Sequence, residues 1–312
     1  MMPTPFLHGN WPRRAIPLLS LAILLLAGCV SSNRTALAPA AQSQLKSVAI
    51  TATINQPEIA AEVLRSNIGQ SAGASGGFIG GLIGGIIDAS IEAKRAKNAE
   101  VEITPVRDAL VDFNAPEELR TALAVDLQNR TPPFPITSVS LAEAKDDAAI
   151  RKLVGASKCD AVLVIATDYH LSPEFDTIRV LAKVSLLSPK VGKDAAAPPL
   201  YRNEFATYRR LPTGSGSDRA ASAASWATNK GALARDAMKN SFAELAAMIN
   251  FDLSQGAEAN LLPKESLTTT APAAGRQALA MGPRIGFKGA IAQQHGDRKW
   301  VRLQTGELSS TE

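Results

Sequence analysis

The chain is short of the residues on which most protein chemistry depends. Among 312 residues there are two cysteines, three histidines and 5% aromatics. Cys29 and Cys159 are the only thiols, so no disulfide framework can hold the fold. Beyond the N-terminus the histidines are His170 and His295, and neither has a second His, Cys or carboxylate at the spacing of a helical or hairpin ligand pair. No metal site or other cofactor is therefore expected. A formal charge of +4 over this length is too small for the clustered basic face that nucleic-acid binding requires. No apolar run reaches the ~20 residues of a membrane-spanning helix; the N-terminal one, Ala15 to Leu26, falls short.

That run carries its information in its borders. Arg13 and Arg14 precede it, and it ends in Leu26-Ala27-Gly28-Cys29, which reads as a lipobox closing a signal peptide over residues 1–28. The thiol of Cys29 is the group a diacylglycerol alkylates, and small Ala27 and Gly28 let a peptidase approach the bond before it. Trp11-Pro12-Arg13-Arg14-Ala15-Ile16 lacks the flanks of a twin-arginine signal, so general secretion is expected. Cleavage removes two arginines and no acid, leaving the mature chain almost neutral. The next residue is Val30 rather than Asp, and by resemblance to Gram-negative lipoproteins this implies the periplasmic face of the outer membrane.

Residues 29–44, rich in Ala, Ser, Asn and Pro, read as a lipidated tether. Residues 45–255 read as one α/β domain, a mixed sheet packed by helices. Val48-Ala49-Ile50 opens a first strand. Asn114 with Glu117, and Ser140 with Glu143, have capping-box spacing and predict helices over 115–129 and 141–154, the second ending at Gly155. Ala161 to Ala166 is a continuous apolar run, expected as a strand covered on both faces. Cys159, at its entrance, reads as a small buried residue. Thr177 to Leu187 alternates and predicts a half-buried antiparallel strand, with Thr177, Arg179, Lys183 and Ser185 outward. A third strand follows over 199–209. Its Tyr201 to Arg210 portion interleaves aromatic and basic residues, either as an ordinary strand or as a protein or glycan contact. A helix from Asp218 to Asn250 presents Leu233, Met238, Phe242, Leu245 and Ile249 on one face.

The junction Leu153-Val154-Gly155-Ala156-Ser157-Lys158-Cys159-Asp160-Ala161-Val162-Leu163-Val164, followed by two alternating strands and a closing helix, resembles the periplasmic lipoproteins related to the TolB N-terminal domain, among them LpoB and CsgG. The resemblance spans roughly residues 45 to 250. It implies a sandwich of helices and sheet that binds other envelope proteins and has no catalytic centre. Two features depart from it. One is a C-terminal part, with a linker over 256–283 and a segment over 284–312 that reads as a β-hairpin turning at His295-Gly296-Asp297. A hairpin alone is marginal in water, so it must dock on the domain or a partner.

The other departure is the segment 68–88, where Gly69, Gly73, Gly77, Gly81 and Gly85 recur every four residues beside a second row, Gly76, Gly80 and Gly84. A helix gathers these into one stripe and the bulky Phe78-Ile79, Leu82-Ile83 and Ile86-Ile87 into another; a strand would mix them. Eight glycines cost a helix on the order of 1 kcal/mol each, so it needs close packing to exist. That packing is open to three readings: within the protein or an oligomer, within a membrane as an inserting or pore-forming element, or absent in a glycine loop. Lys94, Arg95 and Lys97 follow as a short basic run.

Gly73-Ala74-Ser75-Gly76-Gly77 matches the nucleophile-elbow pattern, but no apolar strand precedes it, so a hydrolase is not expected. Asp168 and His170 are two apart on a strand and share a face, read as a polar strand end rather than an acid–base pair. The sequence thus points to a non-enzymatic, lipid-anchored envelope protein whose partners are the membrane and other envelope proteins or itself.

Overall fold

A computed structural model describes residues 33–62, 91–128, 132–143, 146–192, 194, 197–212, 218–260, 266–272 and 286–311. The lipobox residues Leu26, Ala27, Gly28 and Cys29 and the zipper glycines Gly69, Gly73, Gly77, Gly81 and Gly85 lie outside the described residues. So does the Gly73 to Gly77 pattern. Among the described residues, no helix is long and apolar enough to cross a membrane.

The apolar runs become the centre of a mixed sheet. Its strands are β1 Val48–Ile54, β2 Ala60–Ala61, β3 Ile136–Leu141, β4 Ala161–Leu171, β5 Thr177–Leu187, β6 Tyr201–Arg210, β7 Thr269–Pro272, β8 Gly286–His295, β9 Arg298–Leu303 and β10 Leu308–Thr311. The order is β3-β1-β4-β5-β6-β10-β9-β8-β7, with β2 beside the end of β4. β1 pairs in parallel with β3 and β4, β4 to β6 run antiparallel, and β10 returns parallel to β6. Besides a single helical turn at Pro39–Gln42, the α-helices among the described residues are α1 Ile91–Glu102, α2 Thr104–Ala109, α3 Ala115–Leu123, α4 Asp147–Ala156 and α5 Arg219–Leu253. This is the expected α/β class.

One face of the sheet holds the main core. Val180, Val184 and Phe205 on the strands and Met238, Phe242, Leu245 and Ile249 on α5 are all buried there. The periodicity of α5 had these four right but not Leu233, which is 44% exposed. The reason is an interruption just before it: Thr228 is extended, and Asn229, Lys230 and Gly231 take positive φ of 53°, 56° and 72°. Gly231 is needed there, since a side chain would stand 3.2 Å from Ala109. Arg235 braces the break, donating to the carbonyls of Lys230 at 2.9 Å and Ala109 at 2.6 Å.

Four local expectations are corrected. Ser140 caps no helix: it lies in β3 and its hydroxyl donates to the Ile50 carbonyl, because Ile136 to Leu141 is recruited as a strand alongside β1. α4 starts later, with Asp146 accepting from the Ala149 N–H at 2.7 Å, and it passes through Gly155. Asn114 does cap α3, accepting from the Glu117 N–H at 3.2 Å, but regular α-helix stops at Leu123 and a π-helical turn carries Ala124–Gln128. β5 is buried on both faces: Arg179 forms an ion pair with Glu62 and lies 5.4 Å from the centre of the Tyr208 ring, and Lys183 and Ser185 are buried too. Cys159 is only half-buried, with its sulfur 3.5 Å from the Thr137 hydroxyl.

The two ends of the chain differ most from expectation. Residues 33–44 are not a free tether. Thr35 exchanges backbone hydrogen bonds with Arg202 at 2.7 and 3.0 Å, and Leu37 is in the core. The C-terminal hairpin forms, turning at Gly296 with φ 62°, but it continues into β10, which inserts between β9 and β6. The hairpin is thus an extension of the main sheet, and β7 of the expected linker pairs along its outer strand.

Candidate binding cleft

The C-terminal hairpin and the second half of α5 leave a cleft between them. Its first part, about 270 Å3, is lined by Asn250, Phe251 and Ser254 of the helix and Gln293, His295 and Trp300 of the hairpin. An adjoining part of about 400 Å3 is lined by Asp126, Arg209, Glu244, Asp297 and Arg298, among others. Ala247 and His295 border both parts.

The cleft walls are tied together by hydrogen bonds. Glu244 lies on the stripe of α5 that also carries buried Ser241 and Met248, so its carboxylate projects into the interface. It accepts from Trp300 Nε1 at 3.1 Å, Arg209 Nη2 at 2.7 Å and the Ser310 hydroxyl, and forms an ion pair with Arg298 at 3.5 Å. Arg298 also donates to the Tyr208 carbonyl at 2.7 Å. One carboxylate thereby joins α5, β6, β9 and β10. Trp300 meets Phe251 edge-on at 5.6 Å and stacks on His295 at 4.9 Å. This geometry holds the imidazole flat at the rim.

A second carboxylate stands about two turns further on, at the C-terminal end of α5. Asp252 is fully buried, on the apolar stripe of Leu245 and Ile249. It accepts from Arg34 Nε at 3.1 Å, the Tyr201 hydroxyl at 2.6 Å, Asn203 at 2.9 Å and Arg302. Arg34 continues to the carbonyls of Gln255 at 2.7 Å and Gly256 at 2.9 Å and to Asn260 at 2.7 Å. It caps the chain leaving the helix, where unpaired carbonyls concentrate. Beside it Asn33 donates to Glu307 at 2.6 Å and to the Thr305 carbonyl at 2.8 Å. Burial, with Glu204 nearby, pushes the Glu307 carboxyl up to about 8.

Asp168 and His170 do share a face, across β4 from the main core. Burial raises Asp168 to about 6 against the hydrogen bond it accepts from Asn55 at 3.1 Å, and burial with the neighbouring Arg179 lowers His170 to about 4. They form the polar end of β4, set against the buried Arg179, Glu62 and Lys183. Among the described residues no group of His, Cys, Asp and Glu has the arrangement of a metal site.

What the cleft offers a ligand is stacking on His295 and hydrogen bonding to Asn250, Gln293 and Asp297, over a floor in which Glu244 pairs with Arg209 and Arg298. Sequence reasoning missed Arg34, Glu244, Asp252 and Trp300. An acid on each buried stripe of an otherwise apolar helix was the available signal, because a buried carboxylate requires buried donors. Neither a protein-family model nor a curated protein matches this chain.

Proposed function

We propose that the protein is an outer-membrane lipoprotein, acylated on Cys29, that serves at the periplasmic face as a non-enzymatic binding or assembly module for envelope components. The observation that carries this reading is the fastening of Asn33 to the turn between β9 and β10, of Arg34 to the buried end of α5 and of Thr35 to β6. These residues come four to six positions after the lipobox cysteine, so a lipid on Cys29 holds the whole folded unit with almost no slack. Such an attachment suits a module that must present a cleft at a constant height over a membrane. The cleft fits recognition better than catalysis, since the buried Ser310 hydroxyl is bound between Glu244 and Arg298 and guanidinium groups do not exchange protons near neutrality.

Metabolic labelling with a fatty-acid analogue tests the anchor: wild type should incorporate label and Cys29→Ser should not. Crosslinking in intact cells from a photoreactive residue at Gln293 tests the cleft. Capture of a discrete envelope component supports the module reading, and label in the Cys29→Ser chain refutes the anchor.

A further inference from the structure

The register of the sheet brings several cations to one end of the molecule. Val48 of β1 is level with Ile136 of β3 and Ala161 of β4, Val162 is level with Leu187 at the close of β5, and Leu186 is level with Tyr201 at the opening of β6. Five strand termini therefore coincide. Lys46 precedes β1, Lys158 precedes β4, Lys190 follows β5 and Arg202 stands second in β6, and all four are exposed. Among the described residues the exposed acids at this end include Asp160, Asp194 and Glu258, the last lying between Gly256 and Asn260, which accept from Arg34. Asp160 is already engaged by the N–H groups of Lys46 and Ser47, both at 2.9 Å.

The same end receives the N-terminal segment. Asn33 is bound to the Thr305 carbonyl and Thr35 to Arg202, so both contacts lie at the terminus where β6 begins and β9 has ended. From Cys29 to Asn33 the chain can reach at most about 14 Å even when fully extended. A lipid on Cys29 must therefore bring this end, and no other, to the bilayer surface.

We propose that this end of the sheet is the membrane-facing surface of the protein, with Lys46, Lys158, Lys190 and Arg202 set against anionic lipid headgroups. The proposal rests on the lipid-anchor reading above. Two independent features agree on it: the short covalent reach from Cys29, and a cluster of cations that interact with an anionic bilayer once they stand within a Debye length of it. The opposite end, with the β4–β5 turn and Val111, then points into the periplasm.

The test uses the full, acylated chain carrying Cys159→Ser, reconstituted in phosphatidylethanolamine and phosphatidylglycerol vesicles doped with a headgroup-nitroxide lipid. A thiol fluorophore is placed through Gln304→Cys, at the proposed membrane end, or Val111→Cys, 86% exposed on the other side. Quenching should be several-fold stronger at 304 than at 111. Replacing all four cations by glutamine should leave Cys29 acylation intact and lower quenching at 304 by about twofold or more; unchanged quenching would overturn the role given to them. Equal or reversed quenching at 304 and 111 in protein shown to carry the lipid overturns the orientation and leaves the anchor reading standing. Absence of lipid on Cys29 removes both.

Discussion

Arg34 and Asp252, 218 residues apart in the chain, form an ion pair at 3.1 Å in which neither side chain has any exposed surface. Removing one partner of a buried pair costs more than the pair contributes, because the survivor is left without compensation. The two sides are unequal here. Without Arg34, Asp252 keeps Tyr201, Asn203 and Arg302; without Asp252, two guanidinium groups face each other in the core. Asp252→Ala should lose about 3–5 kcal/mol in urea unfolding. Arg34→Ala should lose less, and the double variant less than the sum. An Arg34→Ala loss as large as that of Asp252→Ala would contradict the shared-hub arrangement.

Glu307 makes stability depend on pH in a definite direction. Its folded pKa, about 8, lies above the ordinary carboxylate value, so the folded state retains a proton that the unfolded state releases. That contribution is complete below the unfolded pKa and is lost as pH rises through 8. Asp168, raised to about 6, acts in the same sense at lower pH, while His170, lowered to about 4, opposes it up to its ordinary value of 6.5. Above pH 6.5 Glu307 dominates. Urea midpoints should fall between pH 6.5 and 8, by an amount on the order of 1 kcal/mol, and Glu307→Gln should flatten that slope. A wild-type midpoint that rises over the same interval would refute the assignment.

Two glycines touch where α4 meets the turn after β5. A Cβ on Gly155 would lie 2.9 Å from the Gly192 Cα, and one on Gly192 would press on the Gly155 Cα still more closely. Alanine at 155 gains about 1 kcal/mol of helix propensity but is opposed by an overpacking cost of about 1–3 kcal/mol against backbone that cannot swing aside. Thermal melts should show Gly155→Ala neutral to destabilising and Gly192→Ala clearly destabilising. A stabilised Gly155→Ala would mean that the two backbones are further apart.

The helix starts give a paired control. Asn114→Ala and Asp146→Ala should each cost about 1 kcal/mol, since each side chain accepts from a free N–H in the first turn. Ser140→Ala removes one hydrogen bond to Ile50 from an exposed strand and should cost less. Chemical denaturation of the three variants tests the ranking, and it fails if Ser140→Ala is the most damaging.

The sequence alone determined what is local. Continuous apolar residues at Ala161 to Ala166 and alternation at Thr177 to Leu187 specify strands because pleated backbone sends neighbours to opposite faces, and both strands are found. The Asn114 cap and the turn at Gly296 depend on a few consecutive residues and were legible for the same reason. Partnership was not. Ser140 satisfies the spacing of a capping box, yet the segment pairs with β1 because a sheet edge offers its backbone more than a short helix would. Nothing near Arg34 announces that a polar segment will be buried; its donors find Asp252, Gln255, Gly256 and Asn260 only after α5 has been laid across the sheet. Likewise Leu308 to Thr311 pairs with β9 beside it in the chain, but it joins the hairpin to the main sheet only because β6 presents an edge to it. The candidate cleft is built from both kinds of information. Its stripe of buried positions on α5 follows from a 3.6-residue period, but which chain segment covers that stripe is decided by long-range pairing, whose partners no local pattern encodes.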